Sequence, residues 1–310
     1  MQRVSNRLLR IGLLVMLAAG GCVRAKPHGE FEDLGIAFAS SELPPGLYPP
    51  VHEADLPAIR ERGQLVYAME RALKLAYEDA MLKAGDPHAV AVLPLVQVDP
   101  GGESGQVVFI RWPTPPGGTP PKLTVDNAER WLLASIRLNP DSVIDVELLT
   151  GPIAKESHDA RRITSLIAAA EALRAEAPDA LFHLLDIYEV VPSGKKAKST
   201  KTVAHVYALS ADGDGPDLEA IVDEVRKRGV PDVLSVGLTH PPGKGTADPI
   251  VVSAASPAAL TVARALLRGP AAGEIIVLTD DDKHWVVDAR TGNIARPGEN
   301  PGENPAPVGF

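Results

Sequence analysis

Asn139-Pro-Asp-Ser-Val-Ile-Asp-Val-Glu-Leu-Leu149 is the stretch on which the fold turns. Its first four residues carry type I turn chemistry, a proline flanked by side chains that hydrogen-bond their own backbone. After them Ile144, Val146 and Leu148 alternate with Asp145 and Glu147, the period of a strand with one face buried. The run before the turn, Trp131 to Leu138, then reads as the other arm of a hairpin. The alternative for residues 126–138 is a helix from Asp126 to Leu138 that stops at Pro140. The strand-like second arm favours the hairpin, which makes this part of the chain antiparallel sheet.

Upstream, Val66, Met69, Leu73, Ala76 and Ala80 recur at steps of three and four and predict a helix from Pro57 to about Lys83. Ala89 to Val98 and Gln106 to Trp112 are β-rich runs joined by Asp99-Pro-Gly-Gly-Glu-Ser-Gly105, a hairpin connection. Downstream, a helix is expected over His158 to Ala177, then strands Leu181 to Val191 and Thr202 to Leu209. A further helix is expected from Pro216 to Arg228. Pro216 and Asp217 stand at its start, Leu218, Ile221, Val222 and Val225 on one face, and Gly229 after it. Strands Asp232 to Thr239 and Pro249 to Ser253, a helix Pro257 to Leu267 and a hairpin Glu274 to Leu278 and His284 to Val287 complete the pattern. The recurring theme is a helix followed by an antiparallel hairpin, and the fold class it predicts is α+β, two-layer modules of helices packed on antiparallel sheets. Two modules are expected, residues 52–150 and 152–296. The βα turns lack the glycine pattern of a nucleotide-binding α/β fold.

Composition narrows the function classes. Hydrophobic residues make up 45 % of the 310, enough for a sizeable core, while aromatics at 4 % leave that core to Val, Leu, Ile and Ala. The formal charge is −9, which argues against nucleic acid as a partner, because phosphate binding needs clustered Lys and Arg. Cys22 is the only cysteine, so no intramolecular disulfide can form.

The first residues read as an address. Arg3, Arg7 and Arg10 precede the apolar run Ile11 to Ala19, which is too short to span a bilayer and is followed by Gly20, Gly21 and Cys22. Leu17-Ala-Ala-Gly-Gly-Cys22 resembles the lipobox of bacterial lipoproteins, with Ala19 where that family usually has a large aliphatic residue. The resemblance implies a signal peptide over residues 1–21, cleavage before Cys22, and a diacylglycerol on its thiol. Residues 22–51, broken by Pro44-Pro45-Gly46 and Pro49-Pro50, then form a flexible tether, although the patch Leu34 to Phe38 has the character to dock on the folded body. Loss of the three arginines takes the formal charge from −9 to −12. Val23 after the cysteine leans the sorting toward an outer membrane. Val23-Arg-Ala25 offers a competing cut that would release a soluble periplasmic or secreted protein without Cys22. The other end, 297–310, repeats Pro-Gly-Glu-Asn and has the composition of a disordered tail.

Two resemblances concern the body. Trp285-Val-Val-Asp-Ala-Arg-Thr-Gly292 resembles the end of a PepSY-type unit, where a strand closes in an Asp-x-x-Thr-Gly turn. The order of the first module, one helix and four strands, is similar to cystatin-like domains. Both imply accessory roles, inhibiting or positioning another protein, and carry over no catalytic residue.

Candidate chemistry is sparse. The eight histidines show no i, i+4 or i, i+2 pair of the metal-binding kind. His183 and His205 fall on strands expected to pair, with His205 opposite Tyr188 or its neighbour. Asp212-Gly-Asp-Gly215 with Asp217 and Glu219 hints at a calcium loop, but Pro216 stands at its fifth position, and the acids read better as a helix N-terminus. Asp280-Asp-Asp282 reads as a solvated hairpin tip, and Lys195, Lys196, Lys198 and Lys201 as a soluble loop. Gly243-Lys-Gly-Thr246 lacks the upstream glycine of a phosphate loop, and no Gly-x-Ser-x-Gly elbow occurs. No catalytic, metal or cofactor-binding residue is therefore assigned, and Cys22, as the lipidation site, is the one functional residue named. The expected function is a lipid-anchored envelope protein acting as a non-catalytic binding or accessory module, held to the membrane through Cys22 and engaging an envelope protein. The alternatives are an inhibitor or chaperone of an exported enzyme, and an unrecognised hydrolase.

Overall fold

The structure is a computed structural model that describes residues 38–39, 55–84, 90–99, 102–113, 122–193, 199–211, 216–227, 230–240, 250–254, 258–278 and 284–298. The expected signal peptide, Cys22 and most of the expected tether and tail lie outside these residues. The fold is α+β, as the hydrophobic patterning predicts.

Helix α1 (Leu56–Ala84) buries the expected stripe of Val66, Met69, Leu73, Ala76 and Ala80, with Ala72 beside it. It covers a four-stranded antiparallel meander of β2 (Val90–Val98), β3 (Ser104–Pro113), β4 (Glu129–Leu138) and β5 (Asp141–Pro152). The hairpin reading of residues 126–138 holds: a short 3-10 turn at Val125–Asn127 leads into β4. Leu138 pairs with Asp141 across the tight connection, whose Asn139–Pro140 peptide is cis. Arg71 on α1 fixes this turn by donating to the Leu138 carbonyl at 3.0 Å and to the Asp141 carboxylate.

Helix α2 (His158–Glu176) starts at Ser157, whose hydroxyl accepts from the Ala160 amide at 3.1 Å, and packs on a second meander of β6 (Phe182–Ser193), β7 (Ser199–Ser210), β8 (Asp217–Lys227) and β9 (Val230–His240). β8 corrects the sequence reading, which placed a helix at Pro216 to Arg228. Leu218, Ala220 and Val222 also satisfy a period of two, and they join α2 in one core while Ile221 points to the other side. Pairing with β7 on one edge and β9 on the other decides between the two periods, as tertiary context does when local preference is divided. The chain thus runs twice through a helix followed by four antiparallel strands.

Leu93, Leu95, Ile110 and Trp112 on the reverse face of the first sheet share a core with α2 and the second sheet. That explains why Ala89 to Val98 reads as a nearly continuous apolar run: β2 is covered on both faces. A third sheet has the order β1-β10-β11-β12-β13, formed by β1 (Phe38–Ala39), β10 (Ile250–Ala254), β11 (Ile275–Leu278), β12 (His284–Val287) and β13 (Ile294–Ala295). β10 and β11 are parallel and joined through α3 (Ala259–Arg268); Phe38 and Ala39, within the expected tether, pair parallel with β10. α3 lies against α1 at Gly63, where an added Cβ would stand 2.4 Å from Val262 Cβ and 2.7 Å from the Ala259 carbonyl oxygen.

Candidate functional site

The face of the second sheet that looks toward α1 is built from alternate residues of three strands. β6 contributes His183, Leu185 and Glu189, β7 His205 and Tyr207, and β8 Asp217, Glu219 and Asp223. Strand alternation puts these side chains on one face, and α1 lays two charged residues across it. Glu70 is 1 % exposed and accepts from Lys74 at 3.1 Å and pairs with His183 Nδ1 at 2.8 Å through the same oxygen. Its second oxygen has no hydrogen-bond partner among the described residues. Two turns earlier, Arg62 Nη2 donates to Glu189 Oε2 at 2.6 Å.

His205 is the centre of the face and is fully buried. Ile187, the neighbour of Tyr188, stands opposite it, as pairing about the β6–β7 loop predicts. Its Nδ1 lies 2.8 Å from Glu219 Oε1 and its Nε2 3.1 Å from Glu189 Oε2, the oxygen that also takes Arg62. Both contacts are hydrogen bonds only if both ring nitrogens carry hydrogen, or if one carboxyl group does. Tyr207 stacks beside the ring with centroids 6.2 Å apart. Burial, and then Glu219, push the Tyr207 phenol well above its ordinary value, so it stays protonated. Burial acts to lower the Arg62 guanidinium, but Tyr207, Glu189 and Glu219 outweigh it and hold it above its ordinary value. Alternating charges thus clamp α1 to the sheet.

Two further buried pairs tie helices to the second sheet, one from α3 and one from α2 on its opposite side. Arg264 of α3 donates through Nε to Asp217 at 2.6 Å, and Asp217 also accepts from the Ser210 amide at 3.0 Å. Arg162 of α2 makes a two-pronged contact with Asp186 at 2.8 and 2.6 Å and donates to the Val96 carbonyl at 2.8 Å, tying α2, β6 and β2 together. Burial works against the Arg162 charge, and Asp186 more than offsets it.

These placements dispose of several candidates. Asp217 and Glu219 are strand residues facing Arg264 and His205, not acids at a helix N-terminus. Lys201 is spent on Asp223 at 2.8 Å, while Lys195, Lys196, Lys198, Asp212, Asp214, Asp280 to Asp282 and Gly243 to Thr246 lie outside the described residues, as do His28, His52 and His88. His158 sits at the start of α2 with its ring 5.5 Å from Tyr188, and His284 is exposed at the start of β12. Among the described residues no group of three or more His, Cys, Asp or Glu is placed to hold a metal, because the carboxylates of Glu189 and Glu219 approach His205 through different ring nitrogens. The turn after β12 is built as its sequence implies: Asp288 Oδ1 accepts from the Arg290 and Thr291 amides and the Thr291 hydroxyl at 3.0, 2.7 and 2.7 Å, and Gly292 takes φ +71°. Arg60 reaches Asn293 at 2.7 Å and Gln64 the Thr291 carbonyl at 3.0 Å, so the turn is a docking point for α1.

Sequence reasoning missed the Arg62–Glu189–His205–Glu219 chain. Glu219 could enter it only once residues 217–227 were read as a strand. The signal for that was the file of acids at Asp217, Glu219 and Asp223, separated by two and four residues and so on one face of a strand.

Five large hydrophobics are exposed among the described residues: Ile144 at 58 % and Leu148 at 62 % on β5, Leu82 at 81 % near the end of α1, Val190 at 65 % on β6 and Leu181 at 41 % just before it. Lys83, next to Leu82, bonds through its ammonium to the carbonyl of Val146, which stands between Ile144 and Leu148 along β5. β5 is the end strand of its sheet.

No family model, curated protein or solved structure matches the chain. Among the described residues no helix is long and apolar enough to cross a membrane.

Proposed function

We propose that this protein is a binding module of a bacterial cell envelope, anchored through lipid on Cys22 and acting by docking another envelope protein, without catalysis of its own. The observation that carries this reading is the exposure of Ile144 and Leu148 on β5, the end strand of its sheet among the described residues. Exposed apolar residues are ordinary when scattered, and two on one end strand are what an interaction surface would present. Covering each of them contributes roughly 1–2 kcal/mol of binding. The gathering of His205 with Glu189, Glu219 and Arg62 supports the same reading, since His205 is fully enclosed and both its ring nitrogens are engaged.

The double substitution Ile144→Ser with Leu148→Ser tests this. Both side chains are exposed, so the melting transition should stay within about 0.5 kcal/mol of the wild type. A discrete cross-linked adduct formed with the native protein in intact envelopes should be lost in the variant. An adduct that survives the double substitution counts against the surface. Mass spectrometry of the mature N-terminus tests the anchor: an acylated Cys22 supports it, and an N-terminus beginning at Lys26 ends it.

A second reading, inhibition or chaperoning of an exported enzyme, draws on the sequence of the Asp288–Gly292 turn after β12, which carries the PepSY resemblance. Stoichiometric inhibition of a co-exported protease would favour it.

A further inference from the structure

The outer edge of β5 has a chemistry specific enough to define its occupant. Resting on the reading that this edge is the docking surface, we infer that it takes an extended segment of a partner protein in which apolar and basic residues alternate, added as a further antiparallel or parallel strand.

The argument begins with the backbone of Val146. Its N–H donates to the Asp145 carboxylate at 2.7 Å and its carbonyl accepts from Lys83. In a strand the N–H and C=O of one residue point to the same side, and β4 occupies the other edge of β5, so both groups face outward. Two of the molecule's own side chains cap them, which is how proteins blunt an open edge. A partner strand offers the same two bonds from its backbone and displaces both caps.

Side chains set the pattern of the occupant. Val146 and Leu148 share the face that looks toward α1, opposite Ala134 and Leu132, and Leu148 extends beyond the cover that α1 gives Val146. Asp145 and Glu147 share the other face and are exposed. Glu147 forms no ion pair among the described residues. A strand laid along β5 therefore meets apolar positions on one face and acids on the other, so its own residues alternate apolar and basic. The same acids argue against two other occupants. A second copy of β5 would bring Asp145 and Glu147 against their own kind, and an anionic lipid surface would be repelled.

The test uses the full chain and two end-blocked ten-residue peptides, one alternating valine and lysine, the other alternating valine and glutamate. The valine–lysine peptide should bind at least tenfold tighter, lose affinity as salt is raised from 50 to 500 mM, and slow amide exchange in β5. Leu148→Lys should weaken it tenfold or more with an unchanged melting curve, and Lys83→Ala, by uncapping the Val146 carbonyl, should tighten it. Equal binding of the two peptides, no binding of either, or indifference to Leu148→Lys overturns the inference. A photo-cross-linker at Leu148 that captures a discrete envelope protein in cells while both peptides fail would leave the docking reading standing and remove the basic strand. Failure of both removes both.

Discussion

Arg162 shows how much of this molecule rests on single side chains. Its guanidinium is enclosed with Asp186 and the Val96 carbonyl, and cutting it away leaves a buried carboxylate and a buried carbonyl without a donor. Breaking such a pair by removing one partner costs about 3–5 kcal/mol, so Arg162→Ala should lower the unfolding free energy by that much in urea melts. A loss under about 1 kcal/mol would mean that the pair is not enclosed in solution. Gly63 is constrained by space, not conformation. Gly63→Ala pushes a methyl group into Val262 and the Ala259 carbonyl, and should destabilise the protein by roughly 1–3 kcal/mol. Asp288 ties stability to pH. Partial burial works to raise it, but the Thr291 hydroxyl and amide and the Arg290 amide hold it below the usual carboxylate range. A depressed carboxylate contributes stability that is fully present above its unfolded value, near pH 4, and is lost as pH falls through the folded one. The stability gap between wild type and Asp288→Asn, roughly 1 kcal/mol at neutral pH, should therefore narrow in acid. A gap that does not change between pH 7 and pH 2 would contradict this.

At the scale of elements, β8 is the instructive case. Leu218, Ile221, Val222 and Val225 satisfy a helical period, and Pro216 with Gly229 punctuates it as a helix would be. The same segment satisfies a strand period, and only its neighbours choose between them: Leu218, Ala220 and Val222 meet α2, while Asp217, Glu219 and Asp223 meet Arg264, His205 and Lys201. Those partners are distant in sequence, so neither the strand nor the His205 chain was legible from local pattern. α1 was legible because its period is unambiguous; in the β4–β5 hairpin the strands were legible but the buried face was not, since a register shift skips Ile144 and, of Ile144, Val146 and Leu148, only Val146 is buried. Hydrogen exchange checks β8 directly. Amides of residues 218–223, paired on both edges, should be among the slowest in the second sheet, and rapid exchange there would reject the central strand.

Taken whole, the molecule separates its polar and apolar resources. Charge is buried where α1, α2 and α3 meet the second sheet, and large apolar residues are exposed on end strands of both meanders, Ile144 and Leu148 on β5 and Val190 on β6. The fold class was readable because one stripe per helix and one alternating face per strand demand layered packing. The proposed docking edge was not, because Val146 and Leu148 look alike in sequence and differ only in whether α1 covers them. A photo-cross-linking map in intact cells tests the central claim most directly, with a probe placed in turn at Leu82, Ile144, Leu148 and the exposed turn residue Arg290. The account predicts one discrete protein adduct shared by the first three positions and absent at Arg290. Adducts at Arg290 alone, or none at Ile144 and Leu148, would contradict it.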